Sequence, residues 1–230
     1  REVQKYLEGS PATFVQHLLG KIEVDNLKNA IRLWYSSIIR HRPIRHRSGY
    51  LFKEVILHPI DWTALINATG WDAVLNAVKA TPYWDVLKAF TGQGLEQDGL
   101  FVMESKLDRL WYASLMQSCK DLSRQDREVA TSIFLLEIDL RNLTILVRHG
   151  GYHQMEADKL RTLLLPWGSV FASPETEKYL AQKSGERSPL SIINRYFPGL
   201  EQTEVQQNRL GLHSDEASVL ENLKIEGYLA

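Results

Sequence analysis

Apolar side chains recur at helical spacing along most of this chain, and the pattern predicts an all-α fold. Phe14 to about Ile39 reads as one long helix, with shorter ones at Trp71–Ala80 and Tyr83–Phe90. Asp98 to about Cys119 and Arg124–Arg148 are long again, followed by Glu156–Leu164 and Pro174–Gln182. Start signals stand at Thr69 before Gly70-Trp71-Asp72, at Ser123 with Asp126 three residues on, and at Ser173-Pro174-Glu175. Gly150-Gly151 reads as the stop of the Arg124–Arg148 helix. Gly92-Gln93-Gly94 reads as a plain connection, and polar Lys183–Ser188 as a boundary before Pro189. Strand-like alternation is confined to Tyr50–Leu57, where loop or helix fits equally well.

The helical pattern repeats. Sliding the chain by 116 positions lays Glu23-Val24-Asp25-Asn26-Leu27 onto Asp139-Leu140-Arg141-Asn142-Leu143, with Arg32 on Arg148. At about 100° per residue, Asn142 shares a face with Leu135, Ile138, Ile145 and Leu146, and Asp139 lies at its edge. Asn26 likewise shares its face with Leu19, Ile22 and Ala30, and Glu23 stands in the place of Asp139. The opposite stripe is polar in both copies: Lys21, Asp25, Lys28 and Arg32 in one, Glu137, Arg141, Thr144 and Arg148 in the other. Each copy is followed by an aliphatic run, a proline and a tryptophan: Val55–Trp62 in the first, Leu163–Trp167 in the second.

An acid and an amide three residues apart, both turned into an apolar face, need hydrogen-bond partners. Backbone within their own helix is already paired, so loop backbone or a neighbouring helix must supply them. The plainer reading makes Glu23, Asn26, Arg32 and Asp139, Asn142, Arg148 a structural clamp for each repeat. The sharper one makes Asp139 and Asn142 a proton-handling or metal pair, and duplication counts against it.

Composition narrows the function classes. Charge is balanced at 27 basic against 28 acidic residues, which removes the usual mark of a nucleic-acid binder. The single cysteine, Cys119, cannot form an internal disulfide and reads as packing filler. No apolar run approaches the roughly 18 residues of a spanning helix. The chain opens at Arg1 without a methionine and reads as a fragment. No phosphate-binding glycine loop follows Gly92-Gln93-Gly94, and no cofactor site is apparent. His149 and His153 have metal-ligand spacing, but two glycines between them argue against a shared helix face. Trp34, Tyr35, Trp111 and Tyr112 fit the core better than an interface. The run Arg40–Arg47, with Arg40, Arg42, Arg45 and Arg47, is either a solvated loop or a contact for an acidic protein surface or anionic lipid.

The string Glu137-Ile138-Asp139-Leu140-Arg141-Asn142-Leu143-Thr144-Ile145-Leu146-Val147-Arg148 resembles the signature of the central-stalk C subunit of V/A-type rotary ATPases, the d subunit of eukaryotic complexes. Met103–Tyr112 is similar to that family's Leu-Asp-Arg helix, and Ala80–Trp84 to its Thr-x-Tyr connection. The resemblance implies three pseudo-symmetric helical repeats forming a funnel, with no catalysis of its own. It also implies central-stalk and rotor-ring subunits as partners, on the cytoplasmic face of a membrane that the chain does not enter. On this reading residues 1–75 end a first repeat, 76–182 are a complete second, and 183–230 start a third or form a tail. The upstream helix of the first repeat and a third signature are missing from the sequence, and Arg40–Arg47 departs from the pattern. A generic α-helical repeat adaptor of another assembly is the alternative.

Overall fold

A computed structural model describes residues 6–42, 49, 51–52 and 54–196. The described residues form helices and loops without a strand, so the Tyr50–Leu57 alternation is not strand where described. The chain divides into two compact units, Arg1–Glu128 and Val129–Ala230.

In the first unit, helix α1 (Gly9–Ile38) lies along helix α6 (Phe101–Lys120). Between them come four short helices: α2 (Trp62–Ile66), α3 (Trp71–Ala77), α4 (Tyr83–Leu87) and α5 (Gly92–Asp98). Val24, Leu27, Ala30, Ile31 and Trp34 carry the α1 core face and are essentially inaccessible. Trp34 packs against Trp71 with ring centroids 5.4 Å apart, and its Nε1–H donates to the Ala68 carbonyl at 3.0 Å. Tyr35, Trp111, Tyr112 and Cys119 are buried as well, and burial pushes the Cys119 thiol above its ordinary pKa.

The polar stripe of α1 does not simply face water. Lys28, buried, donates to buried Asp108 of α6 at 2.8 Å, and Lys21 approaches the same oxygen at 3.7 Å. Arg32 forks onto Glu104 with both contacts at 2.6 Å. At the other end, Trp111 Nε1–H donates to the His17 carbonyl at 2.8 Å. Pairings that climb α1 while descending α6 make the two helices antiparallel. Gly20 permits the approach: a Cβ there would stand 3.4 Å from Trp111 Cδ1 and 3.2 Å from Leu57 Cδ1.

Several local expectations change. Thr91 accepts from the Gly94 N–H at 3.1 Å, so Gly92-Gln93-Gly94 is the first turn of α5 and not a plain connection. Gly70, and not Thr69, caps α3, without a side-chain bond. Ser123 does cap helix α7 (Arg124–Ile145): the Asp126 N–H donates to its Oγ at 3.2 Å.

In the second unit α7 runs on as a π turn, Leu146–Tyr152, through the two glycines expected to stop it. Gly150 supplies space there, since a Cβ would meet the Tyr179 ring at 2.9 Å. Tyr179 Oη–H donates to the Leu146 carbonyl at 2.9 Å, and burial pushes its pKa up to about 12. Helices α8 (Ala157–Leu163), α9 (Gly168–Phe171), α10 (Pro174–Ala181) and α11 (Pro189–Tyr196) follow. Ser173 caps α10 through the Thr176 N–H at 3.0 Å, as its sequence signal predicts. The Lys183–Ser188 stretch contains a 3₁₀ turn, Ser184–Glu186, and buried Arg187 donates to the Met155 and Leu180 carbonyls.

Removing Asp108 takes from buried Lys28 its buried partner and leaves it half-exposed Asp25 at 2.9 Å. Asp108→Ala is expected to cost about 1–3 kcal/mol in chemical denaturation. Burial raises the pKa of Asp25, but hydrogen bonds from Lys21 and Lys28 outweigh it and hold the carboxyl below its ordinary value. That stabilisation is present above the unfolded carboxyl's pKa and is lost as pH falls through the folded one. Stability should therefore drop more steeply below about pH 4 in the unmodified chain than in Asp25→Asn, measured by melting temperature against pH.

Candidate functional site: two acid–amide clamps

Asn26 and Asn142 make the same two bonds. The Asn142 amide donates from Nδ2 to the Leu165 carbonyl at 3.0 Å and accepts at Oδ1 from the Leu165 N–H at 2.8 Å. Asn26 does the same to Phe52, at 3.0 Å and 2.8 Å. One side chain thus satisfies both backbone groups of one loop residue, a task that needs a donor and an acceptor on the same planar group. Both asparagines are buried; Leu165 is buried with Asn142, whereas Phe52 is exposed, so the Asn142 clamp is the drier of the two.

The acid one helical turn earlier holds the next part of each loop. Asp139 accepts from the Ser169 N–H and Oγ–H at 2.9 and 2.8 Å, and from the Val170 N–H at 2.8 Å. Gly168 is required beside it: its φ is +80°, and a Cβ would fall 2.1 Å from Asp139 Oδ1. Glu23 is fully buried and accepts at Oε2 from the Leu57 and His58 N–H groups at 2.7 and 2.8 Å. Its Oε1 meets His58 Nδ1 at 2.6 Å and the Tyr83 hydroxyl at 2.8 Å. Burial, then the Glu23 charge and its hydrogen bond, push the Tyr83 hydroxyl well above its ordinary pKa.

Glu23 receives four hydrogen bonds, one for each lone-pair position of a carboxylate. The Asp139 carboxylate is committed to two backbone amides and a hydroxyl. All four lone-pair positions of Glu23 are thus taken, and three of those of Asp139. His58 and Tyr83 line a cavity of about 240 Å³ with Gln16, His17, Trp111 and Ser114. Two of its polar walls are turned to backbone, Trp111 to the His17 carbonyl and Ser114 to that of Leu110.

The two arginines of the repeat part company. Arg32 is bound to Glu104, whereas Arg148 is exposed on the π turn. Of the basic run, Arg40 stacks on the Tyr35 ring at 5.4 Å and Arg42 follows it, exposed; Arg45 and Arg47 lie outside the described residues. His149 and His153 do face each other, their centroids 5.2 Å apart, because the π turn continues through the glycines. Burial, then His153 and Arg148, lower the pKa of His149 to about 4. Among the described residues no three acidic, histidine or cysteine side chains gather as a metal site. Sequence reasoning missed His58 and Tyr83 as partners of Glu23, and Lys28–Asp108 as a buried pair. The adjacent Pro59 and the Thr81-Pro82-Tyr83 connection were the available signals.

A family model described as "ATP synthase (C/AC39) subunit" matches residues 1–214. The chain belongs to that family. Among its curated relatives, the C subunit of the A-type ATP synthase of Methanococcoides burtonii is 27% identical over 119 residues, covering 51% of this chain and 31% of the relative. The same-named proteins of Methanosarcina mazei and Methanosarcina acetivorans are 28% and 26% identical over 98 residues, each covering 43% of this chain and 26% of the relative. The matched stretch thus spans under a third of these relatives. No solved structure matches. Among the described residues no helix is long and apolar enough to cross a membrane.

The clamp geometry sets two mutational outcomes. Asn142→Asp replaces the amide that donates to the Leu165 carbonyl with a group that repels it, and should cost about 1–3 kcal/mol. Gly168→Ala should cost more than the roughly 1–2 kcal/mol of the left-handed backbone alone, because the methyl also displaces Asp139. Both are read by urea denaturation.

Proposed function

We propose that this chain is a non-catalytic coupling subunit of a V/A-type rotary ATPase, joining the ATP-driven head to the membrane rotor ring through central-stalk partners. Membership of the C/AC39 family carries the reading, and the names of its archaeal relatives agree with it. The geometry suits a part that works by stiffness. Loops are fastened to the long helices by two side chains each, with the carboxylate of Glu23 committed to four hydrogen bonds and that of Asp139 to three. The same reading takes residues 1–75 as the end of a first repeat, 76–182 as a second and 183–230 as the beginning of a third. Glu23, Asn26, Arg32, Asp139, Asn142 and Arg148 then serve as the structural set of the repeats. The chain is held at the cytoplasmic face of the membrane through its partners.

Affinity capture of the tagged protein in mild detergent at low salt should bring down rotor-ring and stalk subunits. Their absence would overturn the proposal, and ATPase activity of the isolated chain should be nil. The basic run at Arg40, Arg42, Arg45 and Arg47 serves as an electrostatic contact in this reading. Charge reversal at Arg42 and Arg45 should weaken assembly more at low salt than at high salt, since exposed charges are screened beyond about 8–10 Å at physiological salt.

A further inference from the structure

The π turn Leu146–Tyr152 brings together two side chains that a helix stopping at Gly150-Gly151 would have sent on different paths. The His153 N–H reaches back five residues to the Arg148 carbonyl at 3.1 Å, the bond of a π turn, and this winding sets the His153 ring beside that of His149. The turn is anchored on both sides of the pair. Tyr179 Oη–H holds the Leu146 carbonyl at 2.9 Å, and buried Arg187 holds that of Met155. The Met155 N–H in turn donates to the His149 carbonyl at 2.9 Å. His149 is part-buried and His153 exposed, so the pair opens to solvent on its His153 side. Single π turns inside α-helices often mark functional sites.

The ring separation selects a coordination geometry. An imidazole nitrogen stands about 1.15 Å from its ring centroid and binds zinc at about 2.0–2.1 Å, so an ion in line with both would lie about 3.2 Å from each centroid. Two centroids 5.2 Å apart then subtend about 110° at the ion. Tetrahedral zinc asks for about 109°, whereas the right angle of a square-planar or octahedral ion would bring the centroids to about 4.5 Å. Among the described residues no third acidic, histidine or cysteine side chain joins the pair. The nearest opposing charge is that of Arg148, which is exposed and therefore screened by water.

We infer that His149 and His153 form a two-imidazole site for a divalent zinc ion on the π turn, its remaining positions filled by water. The ion would clip residue 149 to residue 153 across the two glycines. The site lies within one compact unit and does not rest on the rotary reading, so co-purification with ring subunits and zinc binding can fail separately.

The test is calorimetric titration of zinc into the untagged, metal-free chain. One ion per chain is expected. His149→Ala and His153→Ala should each lower the affinity about tenfold or more, while His41→Ala, exposed in the other unit, should leave it unchanged. Ring-proton NMR of the unmodified chain is independent of any variant's folding. Zinc should shift the His149 and His153 signals together, saturate at one ion per chain and leave the other histidines in place. Binding no tighter than about 1 mM, a shift of one ring without the other, or affinity kept after loss of either ring would each overturn the inference. So would saturation at one ion per two chains.

Discussion

A loop backbone brought against a buried helix face must have its N–H and C=O groups satisfied there, and in this protein one asparagine does both for one residue. Asn26 holds Phe52 and Asn142 holds Leu165 through the same atoms at the same distances. The rest of each unit depends on this contact. The chain is fastened back to the same long helix 26 residues after Asn26 and 23 residues after Asn142. The acid one turn earlier secures the next step of the loop. In the second unit it also sets the first turn of α9, where Ser169 and Val170 donate to Asp139. An apolar side chain at Asn142 would leave the buried Leu165 backbone groups unpaired, which costs about 1–3 kcal/mol for each.

The copies agree in plan and differ in chemistry. Glu23 reaches past backbone to His58 and Tyr83, so the α4 region of the first unit is tied into the clamp. Shorter Asp139 stops at the backbone and a serine, and its close approach is possible because residue 168 is glycine. The polar stripe opposite the clamp has a second task in the first unit, where Lys21, Lys28 and Arg32 face the acids of α6. A helix with an amide clamp on one side and an ion-paired seam on the other is fixed in rotation as well as in position. Such a helix is held against twisting in its socket.

The clamps were legible because the helices carrying them are long: Asn26 and Asn142 stand out on a wheel only when enough turns define the apolar face. The clamp's partners were half legible, as loop backbone but not as the side chains of His58 and Tyr83, which approach from distant sequence. Short α2, α5 and α9 carry too few turns to show a period, and are held by Asp61, Thr91 and Asp139 at their first turns. Gly150-Gly151 misled because glycine ends a helix when it supplies a left-handed residue, and here it makes room for the Tyr179 ring. The charges of α1 read only as a polar stripe because their partners lie some 70–80 residues away on α6, beyond any local pattern.

The most direct test is amide hydrogen exchange at Leu165, the backbone group that Asn142 holds. In the unmodified chain this amide should exchange as slowly as the core of α7. Asn142→Ala should speed it about tenfold or more while leaving Phe52, held by Asn26 in the other unit, unchanged. A Leu165 amide that exchanges freely before the substitution, or no faster after it, would contradict the clamp as the organising contact.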